Sequence, residues 1–198
     1  MKKIKLEKLD KEVRKLMDEK RYLHTQGVRY TAAALAMAHG QDMEKAQIAG
    51  LLHDSAKQLP DDRKLKLCQK YGIEISPIER KNLFLLHAKL GSCLAREKFG
   101  VDDQDILSSI RWHTTGRPEM TVMEQIIFIA DYIEPLRNKS DILPVVRRLA
   151  YTDLDITCYL ILKNTLDYLG DDPDAIDPMT AEACRFYQKI YEKKMKTQ

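Results

Sequence analysis

The sequence predicts an all-α fold, a single-domain helical bundle, and three observations carry that prediction. Apolar residues recur at helical spacing almost throughout the 198 residues. Runs of β-branched residues with strand alternation are missing. Helix-starting and helix-stopping residues punctuate the chain at intervals suited to helices of ordinary length. With 44% hydrophobic residues, the chain is long enough to bury a sizeable core as one domain, 1–198, with a body over about 20–170 and a C-terminal helix over about 180–194.

Each element has its own justification. An amphipathic stretch begins near Leu6 and places His24, Val28, Thr31 and Leu35 on one face; it reads as two helices joined near Arg21 and ends at His39-Gly40, a glycine C-cap. A second helix, Met43 to Leu59, carries "AGLLHDSAKQL" and stops at Pro60. A short helix and a turn at Tyr71-Gly72 follow. "SPIE" at 76–79 is a capping box with proline in the first helical position, opening a helix that runs through His87 to about Lys98 and closes at Gly100. Asp102 or Asp103 caps a helix to about His113, which "TTGRPEM" breaks. "TVME" at 121–124 is a second capping box and opens the very apolar "QIIFIADYIEP". After Pro144 a long helix reaches Gly170, "DDPDAIDPM" reads as a loop, and a last helix from about Thr180 ends in a lysine-rich tail.

Composition narrows the function. Lys plus Arg number 33 against 30 Asp plus Glu, and a net charge of +3 is too small to announce a nucleic-acid polymer or a membrane surface. No segment approaches the ~20 apolar residues of a membrane span, and the N-terminus lacks the apolar stretch of a secretion signal, so the expected address is cytoplasmic. Cys68, Cys93, Cys158 and Cys184 form no Cys-x-x-Cys pair and read as reduced thiols.

The histidines carry the chemistry. Taken alone, His53-Asp54 reads as a core histidine with its partner. His24, His53, His87 and His113 nevertheless sit on the apolar faces of four different predicted helices, from which they can converge. Asp131 repeats the anomaly within "IIFIADYI", where an unpaired carboxylate would be costly. A cation at the meeting point offsets these costs together, and imidazole with carboxylate is the ligand set preferred by iron, manganese and zinc; Asp54 could bridge two such ions. His39, beside Gly40 and off the shared face, reads as an ordinary cap.

The order His24, His53-Asp54 and Asp131 resembles the HD superfamily of metal-dependent phosphohydrolases. "AGLLHDSAK", "LLHAKLGSCLA", "IRWHTTGRPEM", "IADYIEPLR" and "AIDPMT" extend the likeness, from about His24 to Thr180, to the bacterial YqeK-type hydrolases that cleave diadenosine tetraphosphate into two ADP. The resemblance implies His24, His53, Asp54 and Asp131 as the core metal ligands, His87 and His113 facing a second metal or the phosphates, and a divalent cation that is iron, with manganese as the alternative. Ser55 departs from the aromatic residue often found after the aspartate in that family. It also implies that the loop holding Ile176, Pro178 and Thr180 lies near the nucleoside.

Asp54, Lys57, His87 and His113 are thus the expected catalytic set. Lys57, one turn after His53, is placed to hold a phosphate; Ser55 and the Thr114-Thr115 turn offer hydroxyls; and Arg137, just beyond "IEP", can clamp a phosphate bidentately. The expected partners are a dinucleoside polyphosphate, its ADP product and a second copy of the chain, although neither a heptad nor an exposed apolar stripe marks a dimer interface. Competing readings are an HD hydrolase of another nucleotide (a deoxynucleoside monophosphate, a cyclic nucleotide or a guanosine alarmone), a degenerate HD sensor, and a purely structural bundle. The complete ligand set disfavours the last two.

Overall fold

The computed structural model describes residues 5–170 and 176–196. Among these residues it contains α-helices and one short 3₁₀ turn, and no strand. In chain order the helices are α1 (Leu6–Arg14), α2 (Glu19–Ala38), α3 (Met43–Leu52), α4 (Asp61–Lys70), α5 (Pro77–Lys81), α6 (Leu86–Glu97), α7 (Gln104–Trp112), α8 (Val122–Ile133), α9 (Leu143–Leu149), α10 (Leu154–Leu169) and α11 (Pro178–Met195). Among the described residues no helix is long and apolar enough to cross a membrane.

Helix α8 is the axis of the bundle. Ile126, Ile127 and Ile129 are fully buried, each contributing about 1.5–3 kcal/mol by leaving water. It packs against α2, α7 and α10, while α3 lies between α2 and α7, and α11 covers α10. Two glycines allow the close contacts that bring the site together. A Cβ on Gly50 would lie 2.9 Å from the Arg29 Cα, so α3 can approach the α2 backbone only with glycine there. A Cβ on Gly91 would lie 3.2 Å from the His53 carbonyl oxygen, where α6 passes the end of α3.

Both capping boxes form as the sequence predicts, with Ser76 and Glu79 opening α5 and Thr121 and Glu124 opening α8. Gly40 and Gly72 adopt positive φ at the expected turns, and Asp103, not Asp102, caps α7.

Four expected elements are divided differently. The first junction falls at residues 15–18 rather than near Arg21, because the Asp18 carboxylate accepts from the Arg21 amide and starts α2 there. The helix expected to run to Leu59 ends at Leu52: His53 Nδ1 lies 2.7 Å from the Gly50 carbonyl oxygen, and the chain continues in i→i−3 bonds from Ser55 to Leu52 and from Lys57 to Asp54. The helix after "SPIE" is broken at Asn82 (φ −125°, ψ 71°) and resumes at Leu86 after a 3₁₀ turn over Leu83–Leu85. The long helix after Pro144 is two, with Pro144 inside the first turn of α9 and Asp153 capping α10. The last helix starts at Pro178, two residues early. The expected loop over 171–175 lies outside the described residues. An exposed stripe, not anticipated, runs along α2: Leu23, Tyr30 and Met37 recur every seven residues.

Candidate metal centre

Three of the histidines are oriented by the same local device. His53 and His113 are the C-cap residues of α3 and α7, and each ring Nδ1 is 2.7 Å from the carbonyl oxygen three residues earlier, Gly50 and Ile110. Those carbonyls belong to the last helical turn, where the backbone leaves acceptors without an intrahelical partner. His87, in the first turn of α6, directs Nδ1 at the Phe84 carbonyl of the preceding 3₁₀ turn. An Nδ1–H donated to a carbonyl leaves Nε2 as a lone pair aimed at the centre. His24, inside α2, places Nδ1 3.0 Å from Glu134 Oε1 instead.

The four rings form a row in the order His24, His53, His113, His87, with successive centroids 5.4, 5.0 and 5.0 Å apart. Asp54 lies against this row with its two oxygens facing different parts of it. Oδ2 is 3.3 Å from His53 Nε2 and 3.8 Å from His24 Nε2, whereas Oδ1 is 3.3 Å from His87 Nε2 and 3.6 Å from His113 Nε2. Asp131 Oδ1, from α8, lies 3.1 Å from His24 Nε2. Two sets of donor atoms, His24 with His53 and Asp131, and His53 with Asp54 and His113, each lie within 4.8 Å of one another.

The electrostatics call for positive charge at this point. Burial would raise the Asp54 carboxyl, yet His53, with the facing His113 and His87 rings, holds it well below the usual carboxylate range. Burial likewise opposes ionisation of Asp131, and His24, His53 and Arg137 outweigh it. Burial pushes the His87 imidazole down to about 4 despite the Asp54 carboxylate 3.3 Å away, so it is neutral and available as a ligand at pH 7. His24 Nε2, His53 Nε2 and Asp54 Oδ1 are buried without a hydrogen bond, although such atoms are nearly always paired in folded proteins. Imidazole nitrogens, ionised carboxylates and buried atoms lacking a hydrogen bond fit a divalent cation in both chemistry and placement.

The flanking residues fall into two groups. Lys57 Nζ is 3.0 Å from His87 Nε2 and 3.9 Å from Asp54 Oδ1, reached from a turn and not from the helical face expected for it. Thr114 Oγ1 is within 3.1 Å of both His87 Nε2 and His113 Nε2. Arg137 grips Asp131, with Nη2 2.6 Å from Oδ1 and Nε 2.9 Å from the backbone oxygen. Thr115, Ile176 and Pro178 are not in the cluster but line an adjoining cavity of about 470 Å³. Ser55 and Thr180 are buried and line neither that cavity nor a second one of about 560 Å³ beside His24. His39 caps α2 away from the row, its Nε2 2.7 Å from the Ala150 carbonyl oxygen.

Two site residues escaped the sequence reading. Arg21 Nη1 donates to Asp54 Oδ2 at 2.8 Å, and the buried Glu134 carboxylate holds His24. Each stands three residues from a candidate ligand, Arg21 before His24 and Glu134 after Asp131. That one-turn spacing was the signal that could have found them.

Comparison with known proteins agrees with the geometry. The HD domain family matches residues 21–136. A symmetrical bis(5'-nucleosyl)-tetraphosphatase of Bacillus subtilis (strain 168) is 39% identical over 168 residues, covering 85% of this chain and 89% of that protein. A namesake from Staphylococcus aureus is 32% identical over 92% of this chain and 94% of its own. The crystal structure of a predicted HD superfamily hydrolase involved in NAD metabolism from Clostridium acetobutylicum superposes with a TM-score of 0.89 at 38% identity, covering 94% of this chain and 98% of that one. The family match includes His24, the His53-Asp54 pair and Asp131, the residues that the fold draws to one point, and the chain belongs to the HD domain family.

Proposed function

We propose that the protein hydrolyses dinucleoside tetraphosphates symmetrically, giving two ADP from diadenosine tetraphosphate. The observation that carries the reading is the row of four imidazoles directed at the two oxygens of one buried carboxylate. The names of relatives that share most of the chain support the substrate. His24, His53, Asp54 and Asp131 would hold the first cation, and His87 and His113 a second one or the phosphates, with Asp54 offering one oxygen to each side. The metal proposed is iron, with manganese as the alternative, and a donor set of nitrogen and oxygen without thiolate suits either. Bound divalent cations supply the charge that lowers the pKa of water and neutralises phosphoryl oxygens.

The chain's own groups do the rest. Lys57 presents an ammonium toward the phosphates from beside Asp54, and burial lowers its pKa against the pull of Asp54 and Asp131. The Thr114 hydroxyl and the Arg137 guanidinium offer donors on opposite sides of the row. The oxygen of water bonds to a central phosphorus, the bridging P–O bond breaks, and the electron pair leaves on the terminal oxygen of ADP.

The same reading treats 1–198 as one working domain in the cytoplasm, which the four free cysteines suit. It excludes nucleic-acid polymers as partners and allows a homodimer through the exposed stripe of Leu23, Tyr30 and Met37. The test is incubation of iron- or manganese-loaded protein with diadenosine tetraphosphate against a chelated control, with products separated by ion exchange. ADP as the sole product is expected. AMP with ATP overturns the cleavage position, and no turnover in the loaded protein overturns the substrate.

A further inference from the structure

Two cavities border the elements that carry the histidine row, and their linings differ in balance. The first is lined by residues neighbouring His87 and His113 in sequence, Leu85 and Ala88 about the one and Trp112 and Thr115 about the other. Its lining is mostly apolar, with Trp112, Ile78, Ile176 and Pro178 of the kind that receive a nucleobase, and it also includes Arg111 and the Glu79–Lys89 ion pair. The second includes His24 itself and is lined by Lys20, Arg21, Arg137 and Lys139 with two carboxylates, Asp18 and Glu134. Both carboxylates are already engaged: Asp18 caps α2 and accepts from Gln58, and Glu134 holds His24 and the Leu136 amide. Lys20 and Lys139 have no ion-pair partner among the described residues. Arg21 and Arg137 reach the site carboxylates through some of their N–H groups and keep others for a ligand. Among the described residues, His24 is the one ring that lines this cavity and Leu136, 59% exposed, its one large apolar side chain.

The geometry points to unequal handling of the two halves of a chemically symmetrical substrate. One nucleoside is recognised in the apolar cavity; the other half is held by its phosphates in the basic cavity, and its nucleoside is not recognised. This rests on the reading of the site as a dinucleoside tetraphosphate hydrolase and widens its substrate class to nucleoside 5′-tetraphosphates with a bare phosphate end. With adenosine 5′-tetraphosphate, the oxygen of water bonds to one of the two central phosphorus atoms and the bridging P–O bond between them breaks. Its electron pair stays on the departing diphosphate oxygen, the water's protons pass to the product phosphates and solvent, and ADP and pyrophosphate result.

The experiment compares diadenosine tetraphosphate with adenosine 5′-tetraphosphate on metal-loaded wild type, Trp112→Ala and a Lys20→Gln/Lys139→Gln double variant, with product identification. The wild type is expected to cleave both with kcat/KM values within about fivefold of each other, giving ADP and pyrophosphate from the second. The lysine variant should raise KM for both by roughly fivefold with kcat little changed, an effect that fades as salt screens it. Trp112→Ala should raise KM for both substrates alike. If diadenosine tetraphosphate is cleaved well and adenosine tetraphosphate roughly a hundredfold worse, the second nucleoside is recognised and the inference falls. ATP with phosphate as products, or a lysine variant with unchanged KM, also overturns it. A loaded wild type that cleaves neither compound overturns the function proposed above, and this inference with it.

Discussion

Replacing Glu134 with glutamine isolates what orients His24. The Glu134 carboxylate accepts twice: Oε1 lies 3.0 Å from His24 Nδ1, and Oε2 accepts from the Leu136 amide at 2.7 Å. An amide of the same shape has one acceptor oxygen, so in Glu134→Gln one of the two donors must face an NH₂ group. Glu134 is 1% exposed, so water cannot easily replace the lost bond, and an unsatisfied buried donor costs about 1–3 kcal/mol. If the amide oxygen turns to Leu136, His24 loses the bond that fixes its tautomer; if it turns to His24, a neutral bond replaces a charge-assisted one of roughly twice the strength. Either way the Nε2 lone pair is less basic or less well aimed, and outer partners of this kind typically change metal affinity by about 10–100-fold, or roughly 1.4–2.8 kcal/mol. The assay is chelator competition for manganese, with circular dichroism and thermal melting to show that the variant is folded. A folded Glu134→Gln protein that binds manganese within about twofold of wild type would refute the reasoning, because the charge and second acceptor of Glu134 would then do nothing for His24.

Asp54→Ala should abolish turnover and lower bound metal, because no neighbouring carboxylate can present one oxygen to each side of the row; metal analysis alongside the ADP assay checks both. Gly91→Ala places a Cβ 3.2 Å from both the His53 carbonyl oxygen and Ile110 Cγ2, which should lower stability by about 1–3 kcal/mol in urea unfolding and reduce activity by moving α6, and with it His87, away from α3. Gly27→Ala places a Cβ 2.4 Å from Glu134 Oε2, and metal titration should show the same weakening as Glu134→Gln. In metal-free protein, the His87 imidazole is depressed from its ordinary 6.5 to about 4. The folded state therefore resists a proton that the unfolded state accepts, so the contribution of His87 is fully present above about pH 6.5 and falls toward pH 4, by about 3 kcal/mol, while His53, raised against burial by Asp54, pulls the other way. Asp54 and Asp131, held below the usual range, keep their contribution until lower pH. Urea midpoints of wild type and His87→Gln between pH 7 and pH 4.5 test this, since the variant should lose the part of the slope due to His87.

The histidines were legible for a reason that survives the misplaced helix ends. Periodicity put His53 and Asp54 inside a helix to Leu59, whereas α3 stops at Leu52; the apolar spacing through "AGLL" is the same in either case, and what ends the helix is a side-chain bond to Gly50 that periodicity does not register. His53 and His113 are both C-cap residues, each turned back onto the third carbonyl before it. Their inward direction therefore follows from where the helix stops, not from a face continuing through them. The same applies to Lys57, whose one-turn spacing from His53 suggested a shared face but whose ammonium reaches His87 from a turn. Arg21 and Glu134 were missed because each pays off only across the bundle: Arg21 against Asp54, 33 residues away, and Glu134 against His24, 110 residues away. Candidate ligands could be read from residue type, since few roles other than metal binding suit several inward histidines and aspartates. The charges and acceptors that aim those ligands are ordinary arginine and glutamate until packing brings the partners together. The fold's contribution to the proposed chemistry lies in that packing: α2 supplies both Arg21 and His24, α8 ends in both Asp131 and Glu134, and their contact assembles two candidate ligands and two supporting residues at once.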